Sequence, residues 1–287
     1  MRRFLLAITG PLWLAGCGAS GDPAHDWPEP EPALWAMTAP SGEQGWLFGT
    51  IHALPGTVRW RTPSLERALA QSEVLVVEVA NLGDSAGAAL LSDMAETPGQ
   101  PPLSQRVSTP ERPALLAMMD AAGVEDGDFS RIESWAAALM LNAATRTGDG
   151  ANGVDRALIA EADDIIGLET YAGQLALFDT LSQGAQSALL AGTARDWQAG
   201  RGEAMLVAWL TGDEARLDAH VNGELLANAE LRRVLLTLRN AAWTGRIAAL
   251  VADGRRPLVA VGAAHVVGAE GLRARLERQG FTLRRIQ

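Results

Sequence analysis

The chain has 287 residues, 48% of them hydrophobic, and a formal net charge of -10. That is ample for a packed α/β domain and excludes a disordered chain. The acidic balance argues against nucleic acid or anionic lipid as partners, so any membrane is met through an anchor only. All 24 cationic residues are arginine, which excludes a Schiff-base lysine, a P-loop lysine and a Ser-Lys dyad.

The N-terminus reads MRRFLLAITGPLWLAGCGAS. Arg2 and Arg3 form a basic n-region, and 4–14 is an apolar stretch too short to span a bilayer. Leu14-Ala15-Gly16-Cys17 then has the form of a bacterial lipobox, so residues 1–17 read as a lipoprotein signal with Cys17 as the lipidation site. The expected location is the cell envelope, lipid-anchored and facing the periplasm. Gly18 after the cysteine favours the outer membrane over the inner. Cys17 is the only cysteine, so no internal disulfide or thiol chemistry is expected. Residues 18–33, rich in Pro, Gly and acid, read as an extended tether, and 34–287 as the folded domain.

Leu34–Thr38 and 46–51 read as strands joined by a Ser-Gly-containing turn, a hairpin. Pro63–Gln71 fits a helix with proline in its first turn. The run 73–79 (EVLVVEV) fits a strand buried on both faces. Residues 84–150 read as mostly helical, with helix starts at Thr109-Pro110 and Phe129-Ser130. A helix over 153–161, a strand over 165–168 and a helical stretch over 173–253 follow. Pro257–Gly262 is a buried strand, 268–279 a helix and 281–286 a last strand. The fold class is therefore α/β: a central, largely parallel sheet of N- and C-terminal strands around a long, mainly helical middle.

Two segments share a pattern. WLFGTIH ends at His52 and VAVGAAH ends at His265; each is an apolar strand followed by Gly-x-x-His, with motif glycines Gly49 and Gly262. In an open α/β sheet, ligands sit beyond the carboxyl ends of strands, where both histidines are expected to emerge. Glu78 lies near the end of a Val/Leu strand, so its carboxylate must be exposed at the tip, paired, or bound to a cation. Two imidazoles and a carboxylate suit a divalent metal (Zn, Mn or Co) whose bound water is the nucleophile. Without metal, a histidine serves as general base and a Glu orients it. Glu169 ends another apolar strand. Asp155 stands at a helix start, where capping is the first expectation. Arg239, with Asn240, can pair the site carboxylates or hold an oxyanion. The chain has no G-x-S-x-G, H-E-x-x-H or Walker motif, and no G-x-G-x-x-G after a strand.

These residues carry a resemblance. LFGTIHALP at 47–55, VVEV at 76–79, GVDRAL at 153–158, GLET at 167–170 with Gln174, RNAAW at 239–243 and VAVGAAHVVGAEGL at 259–272 resemble the bacterial TraB/GumN family. That family is distantly similar to the Tiki metalloproteases, the erythromycin esterases and the ChaN-like haem-binding lipoproteins. The resemblance implies an α/β fold with paired Gly-x-x-His motifs at the site. It matches His52 and His265 to the family's two histidines, Glu78 to the carboxylate after the next strand, and Glu169, Asp155, Arg239 and Asn240 to other motif positions. The candidate metal ligands are then His52, His265 and Glu78, and the candidate catalytic residues Glu78, Glu169, Asp155, Arg239 and Asn240. Three activities follow from it: a metal-dependent, peptidase-like hydrolase acting on a peptide or small molecule; a metal-independent, esterase-like hydrolase; or a haem- or metal-binding lipoprotein without catalysis.

Overall fold

The computed structural model describes residues 26–81, 85–223 and 225–287; Cys17, the signal and the first part of the tether lie outside them. Among the described residues six strands form one sheet: β1 (Leu34–Thr38), β2 (Gln44–Thr50), β3 (Val74–Val79), β4 (Ile165–Glu169), β5 (Pro257–Gly262) and β6 (Thr282–Arg285). Their spatial order is β4-β3-β5-β2-β1-β6. β4, β3, β5 and β2 are mutually parallel, whereas β1 runs antiparallel between β2 and β6. The helices are α1 (Pro63–Gln71), α2 (Ser85–Ala95), α3 (Arg112–Ala122), α4 (Ser134–Thr145), α5 (Val154–Ile159), α6 (Tyr171–Asp179) and α7 (Gln183–Gln198). They continue with α8 (Arg201–Leu210), α9 (Glu214–Val221), α10 (Ala229–Arg232), α11 (Leu238–Ala252), α12 (Ala263–Val266) and α13 (Leu272–Arg278).

The central strands are apolar on both faces because helices cover both. Trp35, Leu47, Val76, Val259 and Val261 pack with Trp243 and Ile247 of α11 and Leu272 of α13. The alternate positions, including Phe48, Leu75, Val77 and Leu258, pack with Leu65 of α1, Leu158 of α5, Trp209 of α8 and Leu217 of α9. The helical middle has its own core, where Trp135 and Leu141 of α4 meet Met118 of α3 and Leu190 of α7. Helix α1 starts where the sequence places it: Thr62 caps the Leu65 amide and Pro63 occupies the first turn.

The α/β class and the largely parallel sheet are as read from the sequence, with one change. β4, from the helical middle, is the sheet's edge, so the sheet is not built from the terminal strands alone. The helix start at Phe129-Ser130 is corrected too, since the helix begins at Ser134. Arg106 takes the carbonyls of Phe129 and Ile132, and Arg131 pairs with Glu96, which ties 129–133 into a loop.

β1 pairs with β2 only as far as Phe48, and the next carbonyl, Gly49, accepts the indole N–H of buried Trp209 at 2.7 Å. Trp209→Phe keeps most of the apolar contact but removes that donor. The expected loss is about 1–3 kcal/mol, the usual cost of an unmet buried acceptor, read by denaturant unfolding. Stability unchanged within about 0.3 kcal/mol would show that this bond holds nothing.

Candidate active site

Because β4, β3, β5 and β2 are parallel, their carboxyl ends share one edge of the sheet. They deliver Glu169, Glu78, Gly262 and Thr50 in that spatial order. His52 follows β2 by two residues and His265 lies in α12, directly after β5. Ligands gather at this edge in open α/β sheets.

The two motif glycines explain how the strand ends fit together. A Cβ at Gly49 would stand 3.1 Å from both Cα and Cβ of Ala263, the residue after the second motif's glycine. A Cβ at Gly262 would stand 3.0 Å from Glu78 Oε1 and 3.3 Å from His52 Nε2. Each motif therefore needs glycine because the other motif packs against it. A third glycine seats α5: a Cβ at Gly153 would collide with the His52 carbonyl oxygen, and the Val154 amide donates to the Ile51 carbonyl at 2.9 Å.

Asp155, buried in the first turn of α5, is not an N-cap, since Gly153 holds that position. Its Oδ1 accepts from the Thr50 hydroxyl at 2.7 Å and its Oδ2 faces His52 Nδ1 at 2.8 Å. That leaves His52 Nε2 pointing away from Asp155, with 59% of the side chain exposed. The Asp155 carboxylate favours the imidazolium and outweighs burial, raising His52 from 6.5 toward about 9; solvent over its open face works against the full shift.

His265 is in the opposite state. Its Nδ1 stands 2.7 Å from Asn240 Oδ1, and its Nε2 stands 3.0 Å from Arg239 Nη1. The amide of Asn240 donates to the carbonyls of His265 and Glu270, so its oxygen must face the ring and accept from Nδ1–H. Arginine only donates, so Nε2 is the acceptor. The ring is a neutral, fully bonded Nδ1–H tautomer. Burial pushes its pKa down to about 4, aided by Arg239 and His52 and opposed by Glu78.

Arg239 uses all of its N–H groups. Nε and Nη2 grip Glu169 bidentately at 2.9 Å each, and Nη2 also reaches Glu78 Oε2 at 2.7 Å. Nη1 serves His265 and the Leu235 carbonyl. Leu235 belongs to the π-helical turn Arg233–Thr237 just before α11. Such turns recur beside functional sites. The guanidinium also lies 4.6 Å from the Trp243 ring centre, and Trp243 donates its indole N–H to Glu169 at 3.1 Å. Glu78 is likewise saturated, with the Gly262 amide at 2.8 Å on Oε1 and Gln174 at 3.3 Å on Oε2. Burial would raise its pKa; His265, His52, Arg239 and the Gly262 amide together hold it down at about 2. With His265 neutral, the Arg239 charge is the constant part of that hold.

Every residue expected at the site is thus in one cluster, but their positions differ. His52, Glu78 and Asp155 line a cleft of about 200 Å³ together with Arg146, Arg156 and Gln174. Buried His265 and Asn240, with part-buried Arg239 and Glu169, form a layer behind Glu78 and do not line it. His265 does not emerge at the strand end as expected, because α12 turns it under α11. Thr50, Arg146 and Arg156 were not singled out by the sequence; Arg156 stands inside GVDRAL, whereas nothing marks Arg146. A larger groove of about 400 Å³ lies elsewhere, over α1 and the β1–β6 edge, and holds no acid–base pair.

A divalent metal here would draw on His52, His265 and Glu78. His52 Nε2 and His265 Nε2 lie 4.0 and 3.9 Å from the same Glu78 oxygen. However, Arg239 occupies the His265 lone pair and the second Glu78 oxygen. A dication there would lose one imidazole and face a guanidinium across the shared ligands. In this arrangement the residues do not fit it.

A family model described as the TraB/PrgY/gumN family matches residues 33–285. No curated protein and no solved structure matches the chain.

The buried histidine sets an acid limit on stability. Its folded pKa is depressed from 6.5 to about 4, so the unfolded chain takes up a proton first, and stability falls as pH drops through that window. Glu78, depressed from 4.5 to about 2, extends the loss below pH 4.5. Thermal unfolding between pH 8 and 3 is expected to show this fall, and His265→Gln to flatten its upper part. An unchanged slope between pH 6.5 and 4 in that variant would show that another group causes it.

Proposed function

We propose that the chain, which belongs to the TraB/PrgY/gumN family, is a cell-envelope hydrolase of acyl bonds, ester or amide, in which His52 is the acid–base group. One observation carries this reading: a buried carboxylate fixes His52 Nδ1 while Nε2 is presented to an open cleft. That is the arrangement general acid–base catalysis needs, a proton carrier oriented by a second group and accessible to substrate. In its neutral form His52 takes a proton from water as the water attacks the carbonyl carbon. The resulting imidazolium, steadied by Asp155, returns that proton to the leaving group. Thr50 holds Asp155 in place from behind. The layer of Arg239, Glu169, His265 and Asn240 fixes the position of Glu78, which forms the neighbouring wall.

The chain as purified is expected to hydrolyse a 4-nitrophenyl ester with a rate that survives EDTA. His52→Ala should lower kcat/KM by about 10²–10⁴-fold, the usual contribution of a positioned base. Because Asp155 raises His52, the base form grows with pH, and the rate should climb toward about pH 9. Asp155→Asn should move that limb down toward 6.5. A full rate in His52→Ala would sink the assignment. Elemental analysis of the same sample adds an independent check. One divalent metal per chain, lost together with activity, would mean that Arg239 leaves His265 and that the metallohydrolase reading is right.

The envelope location rests on the lipobox. Cys17→Ser is expected to abolish incorporation of labelled palmitate and to move the protein from the membrane pellet to the soluble fraction. A variant that still pellets with membranes would show that Cys17 is not the anchor.

A further inference from the structure

Two arginines line the cleft without partners. Arg146 caps the end of α4 and Arg156 lies in α5, one residue beyond Asp155. Both are exposed, and among the described residues neither guanidinium meets a carboxylate. Elsewhere in the chain Arg61, Arg239 and Arg255 hold carboxylates within 2.9 Å. The cleft's own acids cannot serve. Asp155 is taken by Thr50 and His52, and Glu78 by Gly262, Arg239 and Gln174. The backbone is also shaped to receive Arg146: a Cβ at Gly150 would stand 2.6 Å from Arg146 Nη2, and the same point is 3.8 Å from the His52 carbonyl oxygen. Bare glycine thus lets a guanidinium lie against the chain beside the catalytic histidine.

Like charges facing one small volume repel each other unless something negative is held between them. We propose that the substrate carries a carboxylate within reach of the cleaved acyl bond, and that Arg146 and Arg156 bind it. A guanidinium fork matches a planar carboxylate with two parallel hydrogen bonds, which fixes orientation as well as position. The assignment rests on the hydrolase reading of His52 and names the substrate class of that site.

The test uses the full chain and two esters that differ in one charge, 4-acetoxybenzoate and its methyl ester. The neutral ester has the better leaving group, so a preference for the anionic one reports recognition. At low salt the anionic ester is expected to show kcat/KM at least about tenfold higher, the worth of one charge-assisted contact, mostly through KM. Added NaCl should reduce the ratio. The R146Q/R156Q double variant should bring it to about one. A ratio near one in the wild type, or an unchanged ratio in the double variant, overturns the proposal. Calorimetry with benzoate separates this from the hydrolase reading. If neither ester is cleaved but benzoate binds the wild type at least about tenfold more tightly than the double variant, the carboxylate site stands and the hydrolase falls. Equal benzoate binding by both proteins overturns the site.

Discussion

The site depends on one part-buried cation, Arg239. Arg239 stands between Glu78 and Glu169, at 2.7 and 2.9 Å, and pairs both carboxylates at once. Its five N–H groups reach three strands' worth of structure: Glu169 at the end of β4, Glu78 near the end of β3, and His265 just after β5. One side chain from α11 therefore fixes the relative height of three strand ends. The same bonds settle the ionisation of the cluster. Glu78 is held charged, and His265, beside a permanent cation and out of water, is held neutral.

Around that anchor the strand ends interlock through absences of side chain. Gly49 leaves room for Ala263, Gly262 leaves room for Glu78 and His52, and Gly153 leaves room for the His52 backbone. A Cβ at Gly49 or Gly153 would press on backbone atoms, and one at Gly262 would press on the Glu78 and His52 side chains. These close approaches also explain why groups of the candidate site from distant parts of the chain arrive within hydrogen-bonding distance. The β2–β5 pairing sets Thr50 opposite Gly262, and the α5 seat then brings Asp155 to both Thr50 and His52.

The sequence showed the strands well because EVLVVEV and PLVAVG are apolar on both faces, a pattern that buried parallel strands share. The residues it singled out at the strand ends do meet in one cluster, since a carboxylate or histidine at the end of such a strand has few other uses. It could not show how they pair. Asp155 looked like a helix cap because capping is the local alternative, and only the fold brings Thr50 and His52, about a hundred residues away, to its two oxygens. Arg146 was invisible for a similar reason. An arginine at a helix end has no periodic or motif signal, and its meaning comes from the cleft it enters. The loop at 129–133 misled because Phe-Ser before an amphipathic run resembles a helix start, whereas Arg106 and Glu96 bind that stretch as loop.

The two Gly-x-x-His motifs, alike in sequence, end in opposite chemical states, and the difference lies in what each ring nitrogen meets. His52 has an anion on Nδ1 and the cleft at Nε2, with Glu78 Oε1 4.0 Å to one side, so it can hold a proton, release it and reach a substrate. His265 has a neutral amide oxygen on Nδ1 and a cation's N–H on Nε2, so its lone pair is occupied and protonation would set two positive charges side by side. The repeat therefore marks a shared backbone requirement, a glycine turn at a parallel strand end, rather than a shared role. One copy places a histidine where it can act. The other places a histidine that receives Arg239 and so helps to hold Glu78 in position beside it.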